Sequence, residues 1–327
     1  MEQSYKQRME EMRDVHHDEL YPDFAKATLK LELSEACNHR CLFCIHAVRN
    51  YKVEFMDETL LYRLLNEGRI LGVSKLAFQV NGEPLMCRKL HAYIKHAKDI
   101  GYSYVFINTN GGLASTERLK ELIDAGVDSI KFSFNAGTRE TYLKIHGKDD
   151  FEKVLESIRY AKKYREEAGK NVKLLSTFAI TTYTQDEIAI YESLFKDLVD
   201  EYVTVAAHDS SGQMKKEFEQ YRIDKEIEGI IFLPKKKTPC SSLFDEIYVI
   251  SNGYMTACPM DFYYNLATYN MRKNSLKDAW HGEQMVELRK RHIENNVKGL
   301  LCNLCINKDV DGLKPLNPEL ALPIPHP

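Results

Sequence analysis

Three cysteines fall within eight residues as Cys37-x3-Cys41-x2-Cys44, with His39 and His46 interleaved. Four more, Cys240, Cys258, Cys302 and Cys305, form a second group, and Cys87 stands apart. The net charge is −3, and the opening MEQSYKQRMEEMRDVHHDEL lacks the apolar centre of a signal peptide. No apolar run approaches the ~20 residues of a membrane span. These features predict a cytoplasmic protein without nucleic-acid or membrane partners. Disulfides are rare in that compartment, so clustered thiols point to metal binding or catalysis. For the first group, zinc would need a fourth ligand from His39 or His46. Buried structural thiols would not alternate with Asn38, His39 and Arg40. Thiolate ligation of an iron–sulfur cluster suits the density best. Three ligands on a four-iron cluster leave one iron open to a group that is not protein.

The elements that must position these residues alternate. ATLKLELS (27–34), KLAFQVN (75–81), SYVFINTN (103–110), DSIKFSFN (128–135), VKLLSTFAIT (172–181) and EYVTVAAHD (201–209) read as strands. Helices are predicted over 56–72, 88–101, 115–126, 150–169 and 184–200, with Asp57 and Ser115 as N-caps. This order predicts an α/β fold whose parallel sheet curls into a full or partial barrel. Sites on such sheets lie at the carboxyl ends of the strands. The first cysteine group, Asn81-Gly82-Glu83-Pro84, Asn108-Thr109-Asn110, Ser133, Asn135 and His208-Asp209 all fall at strand ends. Thr177 lies on the fifth strand. After residue 210 the alternation stops. A charged helical connector, a basic loop, a hairpin over 245–258 turning at Asn252-Gly253, and one or two helices over 275–294 follow. The predicted division is an N-terminal helical extension (1–26), the barrel (27–210), a connector (211–239), a small α+β domain (240–306) and a Pro-rich tail (307–327).

The spacing Cys37-x3-Cys41-x2-Cys44 after a first strand resembles the signature of radical SAM enzymes. Asn81-Gly82-Glu83-Pro84 resembles that family's Gly-Gly-Glu-Pro, with Asn replacing the first glycine. The resemblance implies a partial (β/α)6 radical SAM barrel in which Cys37, Cys41 and Cys44 hold a [4Fe-4S] cluster. The open iron would bind S-adenosylmethionine (SAM), and a flavodoxin or ferredoxin-type reductant would supply the electron that cleaves it. The resemblance places Asn81, Gly82 and Glu83 at the SAM amino group and Phe43 against the adenine. It places Asn108, Ser133, Asn135 and Thr177 near the SAM carboxylate and ribose. The second group, with Gly253 before Cys258 and CNLC after the SLKDAW helix, resembles the twitch/SPASM extension of the family. Cys240, Cys258, Cys302 and Cys305 would then fill all four corners of an auxiliary [4Fe-4S] cluster. That differs from the molybdenum-cofactor cyclase, whose twitch cluster keeps an open iron. It is similar to the aminocyclitol dehydrogenase of butirosin biosynthesis, where a closed auxiliary cluster suits electron transfer.

The expected reaction is oxidation of a carbinol on a sugar or aminocyclitol-like small molecule. A base must take the hydroxyl proton; His208, Asp209, Arg139 and His146 are candidates, each weighed against a solvated or satisfied side chain. The alternative is epimerisation or peptide modification (RiPP maturation), with Cys87 as hydrogen donor against its plainer reading as a packed thiol. Peptide-modifying members often carry an N-terminal recognition domain, which the segment before the first strand is too short to hold. Lys235-Lys236-Lys237 would attract an anionic substrate, against the plainer reading of a solvated loop.

Overall fold

Strands that are apolar at nearly every position suit a parallel sheet covered on both faces. In the computed structural model, β5 (Lys173–Ile180) is buried at every position after Lys173. It is one of six parallel strands, with β1 (Thr28–Leu31), β2 (Lys75–Phe78), β3 (Tyr104–Thr109), β4 (Ser129–Ser133) and β6 (Glu201–Ala206). Helices Glu58–Ile70, Leu90–Asp99, Thr116–Asp124, Phe151–Glu167 and Ile188–Phe195 connect them. Helix Glu58–Ile70 buries Leu60, Leu61, Leu64 and Leu65 on one face. Its first turn is satisfied by Asp57 Oδ1, which accepts from Leu60 N at 2.8 Å. Ser115 Oγ caps Thr116–Asp124 in the same way, accepting from Arg118 N at 3.2 Å.

The structure describes residues 17–223, 227, 230 and 237–324. Most of the expected N-terminal helix, and Lys235 and Lys236, lie outside them. Residues 17–23 are not helical, and only the single turn Phe24–Lys26 follows. The expected helical connector is a helix only over Lys215–Phe218 among its described residues. Residues 139–146, unassigned in the sequence, form a helix. Thr138 Oγ1 caps it by accepting from Thr141 N (3.3 Å), and Gly147 closes it at φ 67°. CNLC lies inside helix Leu301–Asn307, beyond helices Leu276–Trp280 and Glu283–Ile293. Among the described residues no helix is long and apolar enough to cross a membrane.

The hairpin forms as expected but joins the barrel's own sheet. β7 (Glu246–Val249) pairs in parallel with β1, and β8 (Tyr254–Thr256) and a further strand, β9 (Ala267–Asn270), follow antiparallel. One sheet results, in the order β6-β5-β4-β3-β2-β1-β7-β8-β9. The chain after 211–239 therefore continues the same sheet: β7 keeps the direction of β1, and the direction reverses only at the β7–β8 turn. The core is shared as well: Leu29, Leu31 and Phe78 belong to one apolar cluster with Leu276, Trp280, Leu288 and Leu301.

Glu32, the residue after β1, fastens this seam. Its N–H donates to Val249 O (2.9 Å). Its buried carboxylate accepts from Asn81 N on one side and from Ser251 N on the other, both at 3.0 Å. Burial, then the charge of Glu35, raises its pKa to about 7, opposed by those two N–H groups. Glu32→Ala orphans two inward-facing amides and should lower stability by at least about 1–3 kcal/mol. A chemical-denaturation midpoint equal to that of the wild type would remove this bridge from the account.

Candidate active site and metal centres

The loop that leaves β1 carries the first three cysteines and is pressed against the ends of β2 and β3. Glu83 N donates to Ala36 O (3.0 Å). A Cβ at Gly82 would lie 1.8 Å from Ser34 O, so only glycine permits this approach. Gly112 is a second such contact, where a Cβ would lie 2.6 Å from His39 Nε2 and from Asp150 Oδ2. Asn81, in place of a glycine, has no left-handed backbone to accommodate. Its carbonyl accepts from His46 Nε2 at 3.0 Å.

Glu83 is 4% exposed. One carboxylate oxygen accepts from Thr109 Oγ1 (2.6 Å) and Leu85 N (3.0 Å), the other from Asn110 N (2.8 Å). Burial raises its pKa, and these donors oppose the rise. The carboxylate thus locks the ends of β2 and β3 together. Asn110 extends the lock to the cysteines, donating from Nδ2 to Cys37 Sγ (3.4 Å) and to Asn38 Oδ1 (2.9 Å). Burial pushes the Cys37 thiol up to about 12, and it pushes Cys41 and Cys44 up as well. Thiolates here need a bound cation, which reverses the sign of that balance.

Behind Cys41 stands a buried chain of imidazoles. His146 Nε2 lies 2.7 Å from Phe134 O, which can only accept, so the proton sits on Nε2 and Nδ1 is bare. That Nδ1 faces Cys41 Sγ (3.2 Å) and His39 Nδ1 (3.3 Å). His39 Nε2 in turn bonds Asp150 Oδ2 (2.9 Å). Burial, then the neighbouring His39, lowers the His146 pKa to about 3. Burial works against ionisation of Asp150, but His39 and Lys148 outweigh it and hold the carboxyl below its usual range. His146, an expected base candidate, is thus committed to the cysteine loop.

The remaining expected residues are spread along the strand ends. Phe43 is half-buried in the cysteine loop. Asn108 Nδ2 donates to Gln79 Oε1. Ser133 ends β4. Asn135 adopts φ 55°, and its Oδ1 accepts from Ala179 N (2.9 Å). The Thr177 carbonyl accepts from Phe134 N and Asn135 N, both at 3.2 Å. His208 Nδ1 accepts from Ser210 N (3.1 Å), and Asp209 pairs with Lys308 (2.7 Å), tying this loop to helix Leu301–Asn307. Arg139 pairs with Asp149 (2.6 Å). Cys87 is 8% exposed within the main core, and Arg118 Nη2 donates to its carbonyl (2.7 Å).

Cys240, Cys258, Cys302 and Cys305 line one cavity, whose other walls include Leu243, Met260, Leu301 and His292. Zinc–sulfur bonds of about 2.3 Å hold two sulfurs of one ion within about 4.6 Å of each other. Among the described residues, the one group of three or more with ligand atoms within 4.8 Å of one another is His39, Cys41 and His146. No three thiols of either cysteine group lie within that distance of one another. The two sites are linked through one small apolar cluster, in which Cys44 and Met260 pack on Ile45, Phe262 and Tyr263.

The sequence reading passed over one further constellation. Glu35 accepts from Tyr264 Oη at 2.6 Å, and Arg49 lies over the rings of Tyr51 (4.4 Å), Tyr264 (5.2 Å) and Tyr263 (5.4 Å). Burial raises the Glu35 pKa despite Tyr264 and Arg49. Arg49 and Tyr51 follow the cysteines closely, but only the β1–β7 pairing brings Tyr263 and Tyr264 to them.

Residues 31–192 match the Radical SAM superfamily model, and residues 240–306 match SPASM, an iron–sulfur cluster-binding domain. The chain belongs to the radical SAM superfamily. Its second part is a SPASM domain, so the cofactors are SAM and [4Fe-4S] clusters, which the cysteine sites described above fit. One similar protein is the uncharacterized protein MJ0804 of Methanocaldococcus jannaschii, 34% identical over 41% of this chain; the match spans only 43% of that relative. Another is a probable GTP 3′,8-cyclase of Saccharolobus solfataricus, 28% identical over 70% of this chain and 76% of that one. Among solved structures, BtrN in complex with AdoMet and 2-DOIA matches at 20% identity and TM-score 0.58, over 88% of this chain and 95% of that one. Streptococcus suis SuiB bound to precursor peptide SuiA matches at 13% identity and TM-score 0.65, over 97% and 79%. At these identities the structures establish a shared fold.

Gly82→Ala should displace the cysteine loop from the β2 end. After anaerobic reconstitution it should keep the iron of the second site, about four per chain, and lose most of the first. A variant that retains both complements and wild-type SAM affinity would show that the loop does not depend on this contact.

Proposed function

We propose that this protein is a radical SAM oxidoreductase that oxidises a carbinol on a sugar or aminocyclitol-like small molecule. When bound, the cofactors supply reductive SAM cleavage, hydrogen abstraction by the 5′-deoxyadenosyl radical and an acceptor for the substrate's second electron. The observation that carries the reading is the four-cysteine cavity. Four thiolates, Cys240 ahead of β7, Cys258 after β8 and Cys302 and Cys305 on helix Leu301–Asn307, would saturate a cluster and leave it no vacant iron for substrate. The likeness in fold to BtrN with AdoMet and 2-DOIA supports the same substrate class.

The chain's own residues bind and orient. Gly82 and Glu83 shape the turn on which the SAM amino group would rest, and Asn110 steadies Cys37. Phe43 would lie against the adenine, and Asn108, Ser133, Asn135 and Thr177 would serve the carboxylate and ribose. His208 and Asp209 are the candidate bases; Asp209 would have to leave Lys308 to act. The second reading is peptide modification or epimerisation, supported by the SuiB–SuiA likeness. It needs a hydrogen donor, and Cys87 is buried against the core with its thiol held neutral, chiefly by burial.

Two variants separate the readings. Cys302→Ala should leave 5′-deoxyadenosine formation within about threefold of wild type and abolish oxidised product, as expected when the electron acceptor is missing. Cys87→Ala should retain product formation, with no deuterium entering product from deuterated water. Loss of product in Cys87→Ala, together with solvent deuterium in the wild-type product, would promote the epimerase instead.

A further inference from the structure

The four-cysteine cavity contains a side chain that cluster ligation leaves unused. His292 lies on helix Glu283–Ile293, is 1% exposed and lines the cavity with the four cysteines. Neither Nδ1 nor Nε2 has a hydrogen-bond partner among the described residues. A buried polar group in that state costs roughly 1–3 kcal/mol and calls for an occupant. One turn earlier on the same helix is Arg289, fully buried. Its guanidinium meets the carbonyls of Leu243 (2.9 Å), Trp280 (2.8 Å) and Leu20 (3.0 Å) and the face of Trp280, at 4.1 Å from the ring centroid. No carboxylate neutralises it among the described residues, and its Nη2 is unpartnered. Leu243, whose carbonyl it holds, is itself a cavity wall. The helix therefore offers the cavity an unsatisfied imidazole, with an uncompensated cation one turn away. Both suit an anionic occupant whose surface accepts N–H bonds.

We propose that His292 donates an N–H···S hydrogen bond to the auxiliary cluster and raises its reduction potential. An imidazole carries at least one N–H in every tautomer and charge state. Hydrogen bonds to cluster sulfurs and nearby positive charge both favour the more negative, reduced form. A higher potential makes the cluster a better acceptor, with Arg289 acting in the same direction at longer range. His292 is a positioning residue: it touches the cofactor's sulfur, not the substrate. The inference rests on the reading that these four cysteines hold a [4Fe-4S] cluster, and it is independent of which substrate is oxidised.

The test uses the full-length chain with Cys37, Cys41 and Cys44 replaced by Ala, so that only the auxiliary site is loaded. Iron content tests the cluster; an EPR-monitored redox titration tests His292. His292→Phe should keep about four irons and lower the midpoint. The expected size is a tenfold change in the reduced-to-oxidised ratio at fixed potential, or about 59 mV for a one-electron couple. His292→Gln, which still offers N–H, should return at least half of the shift. A second measurement needs no His292 variant. Protein grown with 15N-histidine should show a weak nitrogen coupling to the reduced cluster by pulsed EPR. Iron retained with an unchanged midpoint in His292→Phe overturns the proposal. So does an absent 15N coupling, should His292→Phe fail to hold iron. A chain in which these cysteines take up no iron instead defeats the cluster reading itself.

Discussion

Glu32 places an ionisable carboxyl where its direct partners are two backbone N–H groups, those of Asn81 and Ser251. Desolvation opposes its charge, and the two amides favour it. The arrangement makes sense from the position of β1, which is the only strand paired with both the parallel set and the hairpin. The paired registers end at Leu31, and the N–H groups of Asn81 and Ser251 just beyond them bond to the carboxylate. One carboxylate with two oxygens serves both sides at once. Everything chemical is downstream of that point: the cysteine loop begins two residues later, the Asn81–Glu83 turn is fixed from one oxygen, and the hairpin turn from the other.

The two cysteine sites differ in what surrounds them. The first is bordered by amides and imidazoles, with Asn110 on Cys37 and His146 on Cys41. Such a wall can accept a polar cofactor beside the metal. The second is walled mostly by apolar residues such as Leu243, Met260 and Leu301, with Ser211 and His292 as polar members. Low polarity there discourages water and small ligands but does not impede an electron. Burial disfavours the bare thiolate at Cys37, Cys41 and Cys44 in the first site and at Cys258 and Cys302 in the second, so metal loading and completion of the local structure are coupled processes.

The alternation of strand and helix was legible because each element carries its own periodicity, and Asp57 and Ser115 announce their helices by side chain. The three-cysteine loop and the Asn81–Pro84 turn were legible because their residues are contiguous. Helix Arg139–His146 is not evident in the sequence although Thr138 and Gly147 frame it, because it has only eight residues and a short apolar pattern. β9 has four residues and a half-exposed end, too little pattern to separate from a loop. The seam itself could not be read, since nothing local in EIYV says that it will pair with TLKL. Asp150, Glu32, Glu35 and His292 look like ordinary polar residues until distant segments close over them. Asn135 shows the converse: its place at a strand end suggested a ligand contact, but its Oδ1 is engaged by the neighbouring strand's backbone.

The parallel pairing of β1 with β7 has a consequence for synthesis. β1 is made well before β7, and Thr28 meets Glu246 and Leu31 meets Val249 only when the long intervening chain has been synthesised. Until then one hydrogen-bonding edge of β1 is open, and open edges template pairing with other chains. The first cysteine loop is exposed beside that edge for the same interval. Contacts this distant along the chain also form slowly. The hairpin therefore serves as the closing strip of the barrel sheet as well as a platform for its own cysteines. A nascent chain stalled before residue 246 would combine an unpaired strand with three reactive thiols, a state that favours handing the chain promptly to chaperones and to the iron–sulfur assembly machinery.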